Sequence, residues 1–237
     1  MSPKKILLVV SNAAISTTTG WPVGFWASEL IHPWHAFTEA GYEATISSPT
    51  GGKVELDAWS DPRDPSGYSA HDLISLGFLH TPKLAALLEH TVKVSEQREA
   101  DYDAILVCGG QGPLYTYRAA DRLQQLFIDF HRAGKPAAAL CHGTCLLLYL
   151  KNADGTPFVQ GKTMTGFANS EEDFADQYVG KKLSPFRIED EAKKLGANFL
   201  TVNRFKSFAL RDDNLITGQQ QESARETARL VIEALGK

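Results

Sequence analysis

Residues 101–143 read DYDAILVCGGQGPLYTYRAADRLQQLFIDFHRAGKPAAALCHG, and the order of patterns in this stretch decides the fold. The run YDAILVCGG is apolar along its length and ends in glycines, as a strand covered on both faces does. DRLQQLFIDFHRAG then places Leu123, Leu126, Phe127 and Phe130 on one helical face, with Gly134 to end the helix. KPAAAL is a second buried strand, and CHG opens a further turn into a helix. Strand, helix, strand at this spacing is the unit of a parallel sheet.

Working outward, the alternation continues. KILLVV near the start reads as a strand. FWASELIHPWHAFTEAG reads as a helix closed by Gly41, with Pro33 expected to kink or restart it. YEATISSP reads as the next strand. Downstream, GKTMTG is a strand, NSEEDFADQY and RIEDEAKKLG are helices, and ANFLTV and SFALRDDNLITG are strands around a turn at residues 212–214. A last helix over about 222–235 puts Ala224, Ala228, Val231, Ile232 and Leu235 on one face. Residues 49–100 are less regular. TGGKVELDAWSDPRDPSGYS is loop, and TPKLAALLEH is a helix with Thr81 at the N-cap and Pro82 at N1. The expectation is an α/β fold with a mostly parallel central sheet, one domain over 1–237, with a cap-like insertion at about 49–100.

Composition narrows the function. The chain has 237 residues, 43% hydrophobic and 22% charged, with a net charge of -4 and no basic stripe, so nucleic acid is not expected as a partner. No run approaches the ~20 apolar residues of a membrane span, and ILLVV is too short for a signal segment. Three cysteines, Cys108, Cys141 and Cys145, argue for reduced thiols and a cytoplasmic location.

Two strand ends carry unusual chemistry, at Cys108-Gly109-Gly110 and at Cys141-His142-Gly143, and ligands of such sheets bind at strand carboxyl ends. In ALCHG, Ala139 and Gly143 flank Cys141 at the spacing of a nucleophile elbow, a sharp strand-to-helix turn that exposes the side chain. A helix start there would favour the thiolate. Cys108 and Cys145 read as core cysteines. No histidine follows His142, so the base is His142 itself, an earlier histidine or a carboxylate. GGQGP does not match a dinucleotide fingerprint, but glycines at a strand end offer bare N–H groups to an oxyanion. His32 and His35 with Glu29, or Cys141 with Cys145, are weaker patterns for a metal, and none is expected.

AALCHG, preceded by DYDAILVCGGQGP and followed by GKTMTGFANSEED and DDNLITGQQ, resembles the ThiJ/PfpI superfamily, nearest its glutathione-independent glyoxalase III and heat-shock chaperone branch. The resemblance runs over nearly the whole chain. It implies a flavodoxin-like three-layer sandwich, a homodimer, and no organic cofactor. It implies Cys141 as nucleophile beside His142, with Glu172 as the triad acid and Glu171 as the alternative register. It places Glu29 beside the thiol and oxyanion donors on the backbone around Gly110, Gln111 and His142. The chain departs from the branch at Gln111, where His is usual, and at Thr144, where Pro is usual.

The implied activity is a cofactor-independent glyoxalase, a lyase converting a small reactive carbonyl, methylglyoxal, to lactate through a hemithioacetal on Cys141. A cysteine-dependent amidase or peptidase is the alternative. A non-enzymatic stress holdase or redox sensor is the third, with Trp21, Trp26, Trp34 and Trp59 as either core or an exposed patch.

Overall fold

A computed structural model describes residues 2–236. β1 (Lys5–Val9) leads through a small hairpin, β2 (Ala14–Ile15) and β3 (Pro22–Val23), into α1 (Ala27–Glu39) and β4 (Glu43–Ser48). α2 (Leu73–His80) and α3 (Pro82–Glu89) precede β5 (Val92–Lys93), β6 (Ala104–Val107), α4 (Pro113–Thr116) and α5 (Asp121–Arg132). β7 (Ala137–Leu140) runs into a 3-10 segment, Cys141–Tyr149. β8 (Thr163–Met164), α6 (Asn169–Val179), α7 (Ile188–Lys194) and β9 (Asn198–Phe199) follow. The hairpin β10 (Ala209–Asp212) and β11 (Leu215–Gly218) and helix α8 (Ala224–Ala234) complete the chain.

The main sheet has the order β10-β11-β7-β6-β1-β4-β5. Every pairing in it is parallel except the β10–β11 hairpin. This is the expected α/β sandwich, flavodoxin-like, with helices on both sides of the sheet. β6 and β7 are buried at all four positions, which is why they read as unbroken apolar runs. α5 turns Leu123, Leu126, Phe127 and Phe130 inward, as its spacing predicts. Among the described residues, no helix is long and apolar enough to cross a membrane.

Several local readings change. α1 runs unbroken through Pro33 rather than restarting there. Proline lacks an N–H, so the cost is a missing partner for the Glu29 carbonyl one turn earlier. Thr81 does sit at the N-cap of α3, but its hydroxyl turns back to the Gly77 carbonyl and makes no cap bond. GKTMTG and ANFLTV contribute only two-residue strands, which pair with each other outside the main sheet. The 49–100 segment is not only loop around α3. It also contains α2 and the edge strand β5.

Candidate active site

The turn after β7 is built around one strained residue. Cys141 has φ +53, in the left-handed region that disfavours a side chain. Two neighbours hold it there. The Thr144 hydroxyl donates to the Cys141 carbonyl at 2.6 Å, competing with the next backbone turn for that acceptor, and the chain continues as a 3-10 segment rather than an α-helix. Gly143 lies so close to β6 that an added Cβ would stand 2.6 Å from the Cys108 carbonyl oxygen. Glycine is therefore required there.

The side chain of Cys141 is only 2% exposed, so a reactant reaches it through a cavity. His142 Nδ1 lies 3.7 Å from Sγ. His142 Nε2 lies 3.1 Å from Glu172 Oε1, and the other Glu172 oxygen accepts from the Ser184 hydroxyl at 2.8 Å. The adjacent Glu171 faces elsewhere. It accepts from the backbone of Ala168 at the start of α6, from the Phe205 N–H and from the Gln219 amide. The imidazole is backed by Phe167, ring centroids 4.1 Å apart. The order Cys141–His142–Glu172 is therefore continuous, and Glu171 braces α6.

Glu29 comes from the first turn of α1 and is fully buried. Its Oε2 accepts from Gly109 N–H at 2.7 Å, while Oε1 has no ordinary hydrogen-bond partner. The carboxyl as a whole interacts with the Cys141 thiol. Gly109 has no room for a side chain, since a Cβ would lie 2.6 Å from Glu29 Oε2 and 2.9 Å from the Cys141 Cβ. Burial pushes the Glu29 carboxyl up to about 8, against the opposing pull of the thiol and the Gly109 N–H. Burial also pushes the Cys141 thiol up, and the charge of Glu29 pushes it further.

This corrects the expectation that the helix start makes a thiolate. The backbone N–H groups of His142 and Gly110 do favour the thiolate, but desolvation outweighs them. The two groups act as one pair. At neutral pH both carry their protons, and the first to leave belongs to the pair.

The donors at the sulfur are the N–H groups of Gly110 and His142. Gln111 is not one of them, contrary to expectation, because its N–H is taken by the Asp57 carboxylate at 2.5 Å. Gln111 instead helps line the cavity over the thiol, a space of about 60 Å³. Its walls are aromatic: Trp26, Trp59, Tyr68, Phe167, Phe174, Tyr178 and Phe205. Among the described residues, no Lys or Arg lines it. A water needs only about 10–15 Å³ of such space, so the cavity suits a neutral molecule of a few non-hydrogen atoms. Trp59 and Tyr68, both from the 49–100 segment, stack at 5.9 Å and supply part of the walls.

The remaining sequence candidates disperse. Cys108 and Cys145 are fully buried core thiols. His32 pairs with Asp72 at 2.8 Å and His35 with Glu39 at 3.2 Å, so neither joins Glu29 in a ligand set. Trp21, Trp26 and Trp59 together line a second, apolar groove, and only Trp34 lies apart from it. Trp26 and Trp59 line the cavity, Trp34 packs edge-on against Phe78, and Trp21 is 42% exposed. Sequence reasoning missed Asp57 and Ser184. An Asp in a Pro- and Gly-rich loop and a Ser before a Pro carry no periodic signal.

Comparison with known proteins agrees with this architecture. The model of the DJ-1/PfpI family matches residues 82–234. The glutathione-independent glyoxalase HSP31 of Saccharomyces cerevisiae is 30% identical, with 99% of each chain covered. The crystal structure of glyoxalase III from Candida albicans superposes with a TM-score of 0.81 at 27% identity, covering 98% of this chain and 97% of that one. The Rapid Encystment Protein 24 kDa of Francisella tularensis shares the fold, with a TM-score of 0.88 at 24% identity over 99% of this chain and 100% of that one.

Proposed function

Because the chain belongs to the DJ-1/PfpI family, we propose that it is a glutathione-independent glyoxalase that hydrates methylglyoxal to lactate at Cys141. The observation that carries this reading is the buried Glu29 carboxyl set against the Cys141 sulfur under a small, aromatic-walled cavity that no Lys or Arg lines.

Loss of one proton from the pair leaves a monoanion. Its two forms are carboxylate beside thiol and carboxylic acid beside thiolate. The thiolate attacks the aldehyde carbon and forms a C–S bond, and the carbonyl oxygen takes a proton to give a hemithioacetal. The Gly110 and His142 N–H groups stabilise the oxygen as its charge develops. Glu29, which gives the carbonyl oxygen its proton and is then ionised, removes the proton on C1 to form an enediolate and returns it to C2, while the C1 hydroxyl proton passes to the C2 oxygen. The product of this step is a lactoyl thioester on Cys141. Water attacks the thioester carbon, the C–S bond breaks, and lactate leaves with the thiol regenerated. The net change is addition of one water, so the reaction calls for no external oxidant or cofactor. In this reading His142, held by Glu172, activates that water.

The cavity volume favours a three-carbon dicarbonyl over a peptide or amide with a side chain, and a lining that holds Glu172 and no Lys or Arg favours a neutral substrate over a carboxylate. In this reading the chain works as one unit, and residues 49–100 act as the roof of the site. The family resemblance further suggests a homodimer in the cytoplasm, checked by light scattering and by imaging of the tagged protein. The test of the function is turnover of methylglyoxal by the purified protein beside Cys141→Ala. Lactate from the wild type alone supports the reading, and no lactate from either eliminates it.

A further inference from the structure

The mechanism leaves two buried carboxylates unused, Glu171, which braces α6, and Asp57. Asp57 lies in the 49–100 segment and is 7% exposed. Its oxygens divide between two backbone amides. Oδ1 accepts from Gly24 N–H at 2.8 Å and Oδ2 from Gln111 N–H at 2.5 Å. Those amides belong to the two chain segments that meet at the thiol. Residues 22–26 lead into α1 and so to Glu29. Residues 109–112 carry Gly110, whose N–H faces the sulfur.

The same two segments are tied at two other points, Trp26 N–H to the Gly109 carbonyl at 3.2 Å and Gly112 N–H to the Gly24 carbonyl at 2.7 Å. They run so close that a Cβ on Gly110, itself at φ +94, would stand 2.4 Å from the Trp26 nitrogen. Asp57 is in turn held by its own N–H, which donates to the Phe25 carbonyl at 2.8 Å. A carboxylate is the one side chain of this size with two acceptors and no donor, and both are used.

We propose that Asp57 is a positioning residue: by bridging the Gly24 and Gln111 amides it holds the Gly110 N–H at the sulfur on one side and the start of α1, with Glu29, on the other. The roof segment thereby sets the geometry of the reaction as well as enclosing it. The ionisable groups that interact with Asp57 are Glu29 on α1 and His142 on the elbow. Burial raises the Asp57 carboxyl to about 6, so it is ionised and fully accepting at neutral pH.

The role in catalysis rests on the glyoxalase reading, and the test separates the two. Asp57→Asn keeps the shape but replaces one acceptor with a donor aimed at a backbone N–H. Two measurements apply: steady-state kinetics with methylglyoxal, and amide hydrogen exchange resolved at residues 104–113. The expected result is a fall of at least tenfold in kcat with KM changed less than threefold, and at least tenfold faster exchange at Gln111 with β6 unaltered. Unchanged exchange at Gln111, or unchanged kcat despite faster exchange, overturns the proposal. A wild type that does not turn over methylglyoxal removes the glyoxalase reading, while exchange in the variant still decides whether Asp57 holds the loop.

If Asp57→Asn does not fold, the wild type itself serves. The Gly24 and Gln111 amide proton resonances are expected to move together with one midpoint near pH 6, and the pH profile of kcat to steepen below that midpoint. Independent movement of the two amides, or no steepening, contradicts the bridge.

Discussion

Cys141 and Cys145 stand four residues apart on one buried 3-10 segment, and the contrast between their surroundings explains the site. Both are free, both are buried, and burial pushes both thiols up. For Cys145 burial is the whole cause. Cys141 has in addition a strained backbone, two N–H groups directed at its sulfur, and a carboxyl partner. Burial alone makes an inert core thiol. Burial beside a second acid makes a pair that shares a proton, which is what an addition followed by a proton transfer requires. The lesson is that surface exposure alone does not separate a reactive cysteine from a structural one here; the neighbours do, together with the cavity that Cys141 lines and Cys145 does not.

The largest effect expected from this contrast is kinetic. Cys141→Ala abolishes lactate formation, whereas Cys145→Ala costs about 1–2 kcal/mol of stability and leaves kcat within twofold. Loss of activity in both variants breaks the contrast. Next in size is Glu29→Gln, expected to lower kcat by roughly 10²–10⁴ because the general acid–base is gone while the nucleophile stays. Single-turnover kinetics that still show trapped hemithioacetal in this variant sharpen the division of labour.

The third expectation concerns pH. The reactive monoanion forms as the pair loses its first proton, so kcat/KM rises with unit slope through about pH 8 and then levels. Stability runs the other way. The folded state holds the Glu29 proton more tightly than the unfolded chain does. The stabilising effect is therefore complete below the ordinary carboxylate range and is lost as pH rises through about 8. Denaturant melts of wild type and Glu29→Gln from pH 4 to 9 test this, and the variant's curve is expected to be flatter over that window.

Smaller again is the contrast of the two adjacent acids. Glu172→Gln is expected to lower kcat about tenfold to a hundredfold through a misplaced imidazole. Glu171→Gln is expected to cost about 1–3 kcal/mol of stability with kcat unchanged, since its oxygens brace Ala168, Phe205 and Gln219.

The fold was legible because its central strands are buried on both faces and therefore uniformly apolar, and because α5 has a single apolar stripe. The elbow was legible from small residues at fixed spacing around Cys141, and Gly143 shows why that spacing is forced. Glu29 was reached only through family resemblance, because nothing local ties a helix residue to a sulfur 112 positions later. The shift in the thiol's acidity was misread, since a sequence reveals a helix start but not the burial that outweighs it. Gln111 was misassigned because backbone donors are invisible in sequence until their partners are placed, and its partner, Asp57, sits in an irregular loop.

The most direct test is to follow lactate production from methylglyoxal by the wild type, Cys141→Ala and Cys145→Ala in parallel, with folding of each checked by circular dichroism. Full activity in the wild type and Cys145→Ala with none in Cys141→Ala is the predicted result. Equal activity in the two alanine variants would contradict the assignment of the chemistry to the Cys141–Glu29 pair.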